Sequence, residues 1–159
     1  MSETVSENAK FAITKTPHKK SGTEDTVIPL VDEYLNKSFT PLKGDIDIFE
    51  AAKLLQNKKL SGLPVVDSEN NLIGFLSERD VIRHAFAAKY GSLPPGTVGE
   101  YMSKRLITVE LGTEIFEVLD LFLKNNYQIY PVIHEGKYVG VITRTNALKA
   151  VLNMKDHIW

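Results

Sequence analysis

The chain has 159 residues, of which 43% are hydrophobic and 25% are charged, and its formal net charge at pH 7 is −1. These values are typical of a globular domain, and there is no basic excess that would predict binding to nucleic acid or to an anionic membrane. The chain contains no cysteine, which excludes disulfides, thiolate metal sites and cysteine nucleophiles.

Residues 1–25 are polar and rich in Lys, Thr, Ser and Glu, a composition that predicts a mostly disordered tail. The segment from Met1 to Lys10 lacks the apolar core of a signal peptide. No apolar run in the sequence reaches the roughly 18 residues of a membrane span. We therefore expect a cytoplasmic protein, which the absence of cysteine also fits.

The first half of the folded region is predicted to span residues 26–92. Apolar residues at helical spacing predict helices, and short Val/Leu/Ile runs bounded by turn residues predict strands. The predicted order is a helix over 28–37, an extended stretch over 39–42, a helix over 47–57, a hairpin with strands 63–66 and 72–76, and a helix over 78–89.

A segment rich in Gly and Pro covers residues 90–97 and predicts a linker. The second half, 93–159, then restarts the pattern with a short helix over 98–104, a strand over 106–109, a helix over 114–125, a hairpin with strands 129–133 and 138–142, and a helix over 144–154. Each half reads strand, helix, strand, strand, helix. The sequence therefore predicts an α+β (α/β-like) fold of two βαββα units, with small mixed sheets packed against helices.

The two halves also repeat at the level of single residues. Three residues recur 67 positions later in the chain: Tyr34 as Tyr101, Phe49 as Phe116, and Pro64 as Pro131. Two copies at so long a period predict a pseudo-twofold pair of units. The join of such a pair offers two related clefts, which is where small ligands tend to bind.

Two motifs within the repeat carry a family resemblance. The first is Leu-Pro-Val-Val-Asp at 63–67, which returns as Tyr-Pro-Val-Ile-His at 130–134. The second is a Gly, two apolar residues, Ser or Thr, two further residues and then an Asp; it runs from Gly74 to Asp80 and returns from Gly140 to Asn146 with Asn in the last place. On these motifs the chain resembles a tandem pair of CBS domains, of the stand-alone bacterial type, over about residues 28–152.

The resemblance implies two βαββα units that pack through their sheets and often dimerise into a disc of four units. It also implies binding of adenosine-containing ligands such as AMP, ADP, ATP or S-adenosylmethionine. In that case AMP, ADP or ATP acts as a regulatory ligand and not as a catalytic cofactor.

The residue types at the start of the predicted helix 78–89 suit a nucleotide. Ser77 is placed as the N-cap, and a helix N-terminus presents free N–H groups to a phosphate. The Asp80 carboxylate can accept hydrogen bonds from both ribose hydroxyls, and Arg79 or Arg144 can pair with phosphate. An ordinary capping box between Ser77 and Asp80 is the alternative interpretation.

The family pattern, carried over residue by residue, implies two clefts. Each cleft joins the Ser/Thr–acid motif of one unit to the first strand and the hairpin of the other, whose backbone would read the adenine edge. The first cleft is predicted to hold Ser77, Asp80, Thr108, Gln128, Ile129, Tyr130 and Pro131. The second is predicted to hold Thr143, Asn146, Thr40, Ser61, Gly62, Leu63 and Pro64.

Two residues depart from the family pattern. Asn146 stands where an Asp is expected, so its bond to a ribose would lack charge and be weaker. Tyr130 replaces a small or aliphatic residue before Pro131. Its ring is expected either to stack on adenine or to fill the first cleft.

These observations predict a non-catalytic regulatory module that signals through a shift of conformation or dimer state. The regulated protein partner is not identified by the sequence. A small enzyme is disfavoured because the sequence has neither a Gly-x-Ser-x-Gly elbow nor a phosphate-binding loop, and its histidines are not spaced as metal ligands. Two alternatives stay open: a structural interaction or dimerisation module without ligand, and a sensor of S-adenosylmethionine.

Overall fold

The computed structural model describes residues 11–12, 27–88 and 93–154. The elements are, in chain order, β1 (Phe11–Ala12), a 3₁₀ helix (Val31–Tyr34), β2 (Leu42–Lys43), α1 (Ile48–Lys58), β3 (Gly62–Val66), β4 (Leu72–Ser77), α2 (Glu78–Ala87), α3 (Val98–Tyr101), β5 (Ile107–Glu110), α4 (Ile115–Lys124), β6 (Ile129–His134), β7 (Lys137–Thr143) and α5 (Arg144–Asn153).

The strands form one small mixed sheet in each half. The first sheet has the order β2-β3-β4 and the second the order β1-β5-β6-β7. In both, a parallel pair (β2 with β3, β5 with β6) adjoins an antiparallel hairpin (β3 with β4, β6 with β7). The predicted α+β class and the order strand, helix, strand, strand, helix are confirmed.

Strand β1 lies in a segment that the sequence predicts to be a disordered tail. Its two residues pair in parallel with β5, Phe11 opposite Ile107 and Ala12 opposite Thr108. The prediction is therefore wrong at these two positions, because the outer edge of β5 offers them backbone partners. The remainder of residues 1–25 lies outside the described residues.

The two halves exchange their leading segments. Val31 belongs to the core of the second half, where its amide donates to the Thr113 carbonyl at 2.8 Å. Val98, its repeat partner, belongs to the core of the first half, where its amide donates to the Ile46 carbonyl at 2.8 Å. Each core is therefore completed by residues from the beginning of the other half.

Both leading helices are shorter than the spacing of apolar residues predicts. The first ends at Tyr34 because Asn36 forms a pair of backbone hydrogen bonds with Val141 of β7, at 2.8 and 2.9 Å. The second, α3, ends at Tyr101 because Ser103 forms the same pair with Phe75 of β4, at 2.9 and 3.0 Å. The exchanged segments thus become edge partners of the opposite sheets.

A third apolar cluster joins the halves. Its buried members come from both: Val66 and Leu72 from the first, and Leu106, Tyr138 and Val141 from the second. The Tyr138 hydroxyl donates to the carbonyl of Phe39 at 2.7 Å. The pseudo-twofold join is therefore a packed core with polar ties across it, and the candidate site lies beside it.

Candidate functional site

The site begins at the junction of β4 and α2. Ser77 is the N-cap of α2, and its hydroxyl oxygen accepts from the Asp80 amide at 3.1 Å. In return, Asp80 Oδ2 accepts from the amide and the hydroxyl of Ser77, at 2.9 and 2.7 Å. The capping box is therefore present, and it fixes the Asp80 carboxylate in the first turn of the helix.

A cavity of about 330 Å³ opens beside this helix start. It lies between the beginning of α2 and the segments that lead into β5 and β6, so both halves contribute to it. The lining residues are Ser61, Phe75, Ser77, Glu78, Arg79, Asp80, Arg83, Ser103, Arg105, Leu106, Ile107, Asn126, Tyr127, Gln128, Ile129, Tyr130 and Pro131. Its volume is within the range, from roughly 300 to 1,000 Å³, of small-molecule sites.

This cavity brings together most residues predicted for the first cleft. Ser77, Asp80, Gln128, Ile129, Tyr130 and Pro131 all border it, and so does Arg79, which was predicted to pair with phosphate. Thr108 is not among the described residues that line it. Successive side chains of a strand point to opposite faces, and since Ile107 lines the cavity, Thr108 is buried elsewhere, at 6% exposure.

The ring of Tyr130 takes neither of the two positions expected for it. Only 1% of the residue is exposed, and its hydroxyl donates to the Leu121 carbonyl at 2.9 Å inside the second core. The ring packs against that of Phe122 with a centroid distance of 4.8 Å, and burial raises the pKa of the phenol. Tyr130 therefore borders the cavity without closing it.

The cavity carries a cluster of arginines, two of which the sequence analysis missed. Arg79, Arg83 and Arg105 line it together with Glu78 and Asp80, so guanidinium groups outnumber carboxylates there. Arg83 could have been found from the sequence, because side chains three residues apart on a helix are neighbours. No helical spacing in the sequence points to Arg105, because it lies in the segment that precedes β5 and not on α2.

The aromatic and polar rim of the cavity was also missed. Tyr127 is 52% exposed at this rim. Asn126, Ser103, Leu106 and Ile107 are further lining residues that the family motifs do not cover, and Phe75 lines the cavity from within the second motif. A half-exposed aromatic ring beside arginines is a surface on which a planar base can stack.

The residues predicted for the second cleft do not all come together. Thr40 and Leu63 line a depression of about 170 Å³ with Ser38, Phe39, Lys58 and Leu60. Thr143, Arg144 and Asn146 are not among the described residues that line either space. At the start of α5, the Thr143 hydroxyl oxygen accepts from the Asn146 amide at 3.1 Å, so these two residues cap the helix.

Three other residues of the predicted second cleft lie elsewhere for identifiable reasons. Ser61 borders the first cavity, because its carbonyl accepts from the Glu78 amide at 3.0 Å and ties it to the start of α2. Gly62 is buried in β3, where an added Cβ would lie 2.3 Å from the Phe75 ring. Pro64 is likewise buried in β3.

The described part of the chain shows neither a metal centre nor a membrane-spanning helix. Within residues 27–88 and 93–154, no group of three or more His, Cys, Asp or Glu side chains is arranged to hold an ion. Over the described residues, no helix combines the length and the apolar character needed to cross a bilayer.

Known proteins share both the sequence and the fold. The protein MJ1225 of Methanocaldococcus jannaschii is 33% identical over 119 residues, which make up 75% of this chain and 41% of MJ1225. Inosine-5′-monophosphate dehydrogenase of Aquifex aeolicus is 36% identical over 110 residues, covering 68% of this chain and 21% of that enzyme. The chain thus spans less than half the length of either relative.

A solved structure has the same fold. CBSX2 in complex with AMP superposes with a TM-score of 0.67 at 27% identity, over 79% of this chain and 98% of CBSX2. The CBS domain family matches this chain twice, at residues 31–87 and 98–153. With its tandem matches, its two βαββα units and its interfacial cavity, the chain belongs to the CBS domain family as a pair of such domains.

Proposed function

We propose that this CBS pair, with units at 26–92 and 93–159, is a non-catalytic regulatory module that binds AMP, ADP or ATP in the 330 Å³ cavity. The observation that carries the proposal is the convergence of Asp80, the start of α2 and three arginines on one cavity formed by both halves. The AMP complex of CBSX2, a relative of the same fold, supports it.

Each part of a nucleotide finds suitable chemistry in the cavity. The Asp80 carboxylate accepts hydrogen bonds from the ribose hydroxyls, and the guanidinium groups with the free amides of α2 receive phosphate. Backbone groups around Ile129 and Pro131 face the adenine edge, while Tyr127 covers the ring. Because both halves contribute, a ligand that binds one relative arrangement better than another shifts the population toward it.

The charge of the cavity favours a nucleotide over S-adenosylmethionine. Arg79, Arg83 and Arg105 oppose Glu78 and Asp80, which suits an anionic ligand. The sulfonium compound carries a cation and no phosphate, so the guanidinium groups would repel it. We therefore expect AMP, ADP or ATP to bind more tightly than S-adenosylmethionine.

A homodimer completes the proposal. Several apolar side chains on the two helices of the second half are exposed, among them Leu123 at 86% and Leu148 at 59%. Apolar surface of this kind on paired helices suits a second copy of the chain. A dimer would let the ligand act on the arrangement of both copies.

The test is a titration of the purified chain with AMP, ADP, ATP and S-adenosylmethionine, by calorimetry and by thermal shift. Asp80→Ala removes the ribose acceptor, and we expect AMP affinity to fall by about 10- to 100-fold, the range for a lost charged hydrogen bond. Asn146→Ala is measured alongside, because Asn146 is the corresponding residue of the second half.

Glu100→Ala is the matched control. Its carboxylate accepts from the Thr97 amide at 2.7 Å in a capping box like that of α2, but Glu100 is not among the described residues that line the cavity. It should lose helix stability and keep nucleotide affinity. An affinity unchanged in Asp80→Ala would contradict binding in this cavity, whatever Asn146→Ala does. No binding of any nucleotide at millimolar concentration would contradict the proposal and favour the ligand-free interaction module.

A further inference from the structure

The two oxygens of the Asp80 carboxylate have different partners. Oδ2 is held by the amide and the hydroxyl of Ser77. Oδ1 faces Nη1 of Arg83 at 3.6 Å. The Asp80 side chain is only 11% exposed, whereas that of Arg83 is 68% exposed. The Arg83 guanidinium is therefore set against the carboxylate oxygen that the cap does not use.

A ligand hydroxyl that binds Asp80 from the cavity would use the same oxygen. Because Oδ2 is occupied by the cap, a ribose diol competes with Arg83 for Oδ1. The ion pair is long and its arginine is mostly solvated, so it is weak and separates easily. The displaced guanidinium stays at the cavity wall, one helical turn from Asp80, where an anionic group of the same ligand can receive it.

We propose that Arg83 is a specificity-determining residue. When a nucleotide binds, the Arg83 guanidinium leaves Asp80 and pairs with the ligand phosphate. The exchange makes the cavity select nucleoside phosphates over nucleosides. A nucleoside such as adenosine displaces Arg83 from Asp80 and gives it no new anion. A nucleoside phosphate also displaces Arg83, but its phosphate is a new anionic partner that accepts a charge-assisted hydrogen bond from the guanidinium. The inference rests on the proposed function and assigns the discrimination to one side chain.

The test compares the affinities of AMP and adenosine for the full chain and for Arg83→Gln. In the wild type we expect AMP to bind about tenfold more tightly, or more, as for one charge-assisted hydrogen bond. In Arg83→Gln we expect weaker AMP binding and equal or tighter adenosine binding, which brings the ratio down to about twofold. Arg83→Lys restores the charge and should recover part of the ratio.

Two further variants separate the exchange from general charge effects. Lys149→Gln removes a cation from the corresponding position of α5, 66 residues later in the chain, and should leave the ratio unchanged. Arg79→Gln removes a cavity cation that makes no ion pair with Asp80 among the described residues. It should weaken AMP binding without strengthening adenosine binding.

The failure of this inference and that of the proposed function have different signatures. If the wild-type chain binds neither AMP nor adenosine, the proposed function fails and the exchange fails with it. If the wild type binds AMP but Arg83→Gln keeps the wild-type ratio, or weakens both ligands equally, nucleotide binding stands and the exchange is overturned.

Discussion

The buried hydroxyl of Tyr138 is one of the groups that tie the second half to the first. The residue is 8% exposed, and its O–H donates to the Phe39 carbonyl at 2.7 Å across the join. Burial raises the pKa of the phenol to about 12, because the ionised form would lose its hydration. The native state therefore holds this proton at a pH where the unfolded chain, with its ordinary pKa of 10.0, releases it.

This difference predicts a loss of stability at high pH. A folded pKa above the unfolded one contributes stability that is complete below about pH 10 and is lost as the pH rises toward 12. Urea unfolding of Tyr138→Phe should show a shallower decline over this window. At pH 7 the variant should be less stable by about 1 kcal/mol, the contribution of one hydrogen bond. An equally steep decline in wild type and variant would contradict the assignment to Tyr138.

Residue by residue, the sequence predicts the site as far as the family motif extends. Ser77, Asp80 and Pro131 border the cavity because the motif fixes where β4 ends and where β6 begins. Arg83 was missed because it lies beyond the motif. The ring of Tyr130 was misplaced because its identity does not reveal which face of β6 it takes, and a buried carbonyl partner decides that.

At the scale of elements, the helices of the second half leave an apolar surface in solvent. We define the apolar helix face as Phe116 and Leu123 of α4 with Leu148 and Leu152 of α5, all exposed. The residues lie seven apart on α4 and four apart on α5, so each pair shares one side of its helix. The two helices pack against each other, so the two exposed pairs belong to neighbouring helices.

A charge placed on this face should separate the proposed homodimer. Leu123→Glu leaves the core intact because Leu123 is 86% exposed, yet it would bury an unpaired carboxylate in a dimer, which is costly. Light scattering after gel filtration should give a dimer for the wild type and a monomer for the variant. Val27→Glu changes an apolar residue of 82% exposure outside the apolar helix face and should stay dimeric. A monomeric wild type would remove the dimer from the proposal.

For the whole molecule, the exchanged segments predict that the two halves unfold as one cooperative unit. Val31, fully buried, begins the first half but fills the second core, and Val98, also fully buried, begins the second half but fills the first core. The sequence repeat predicts two similar units but not this exchange. Val31 and Val98 lie 67 positions apart, at equivalent places in the repeat, so the sequence pattern is the same whether each packs in its own half or in the other. The backbone pairing of Asn36 with β7 and of Ser103 with β4 decides between the two arrangements.

Val31→Ala should therefore destabilise both halves together. The lost methyl groups and the cavity they leave cost about 2 kcal/mol. Urea unfolding should remain a single transition with an unchanged slope and a lower midpoint. Hydrogen exchange should accelerate at amides of β3 as well as at those of β6. Val98→Ala is the reciprocal variant and should behave alike; a separate early transition of one half in either variant would contradict cooperativity.

Strand β1 has a practical consequence for handling the protein. Because the N-terminus is polar and charged, an expression design would readily start the chain near residue 26. Such a chain would lack Phe11 and Ala12, the strand partners of Ile107 and Thr108 at the outer edge of β5. A bared strand edge is a template for pairing with other chains and for aggregation. If the chain self-associates only after this truncation, the cause is the newly exposed edge of β5. The N-terminal boundary chosen for expression would then determine which oligomer is observed.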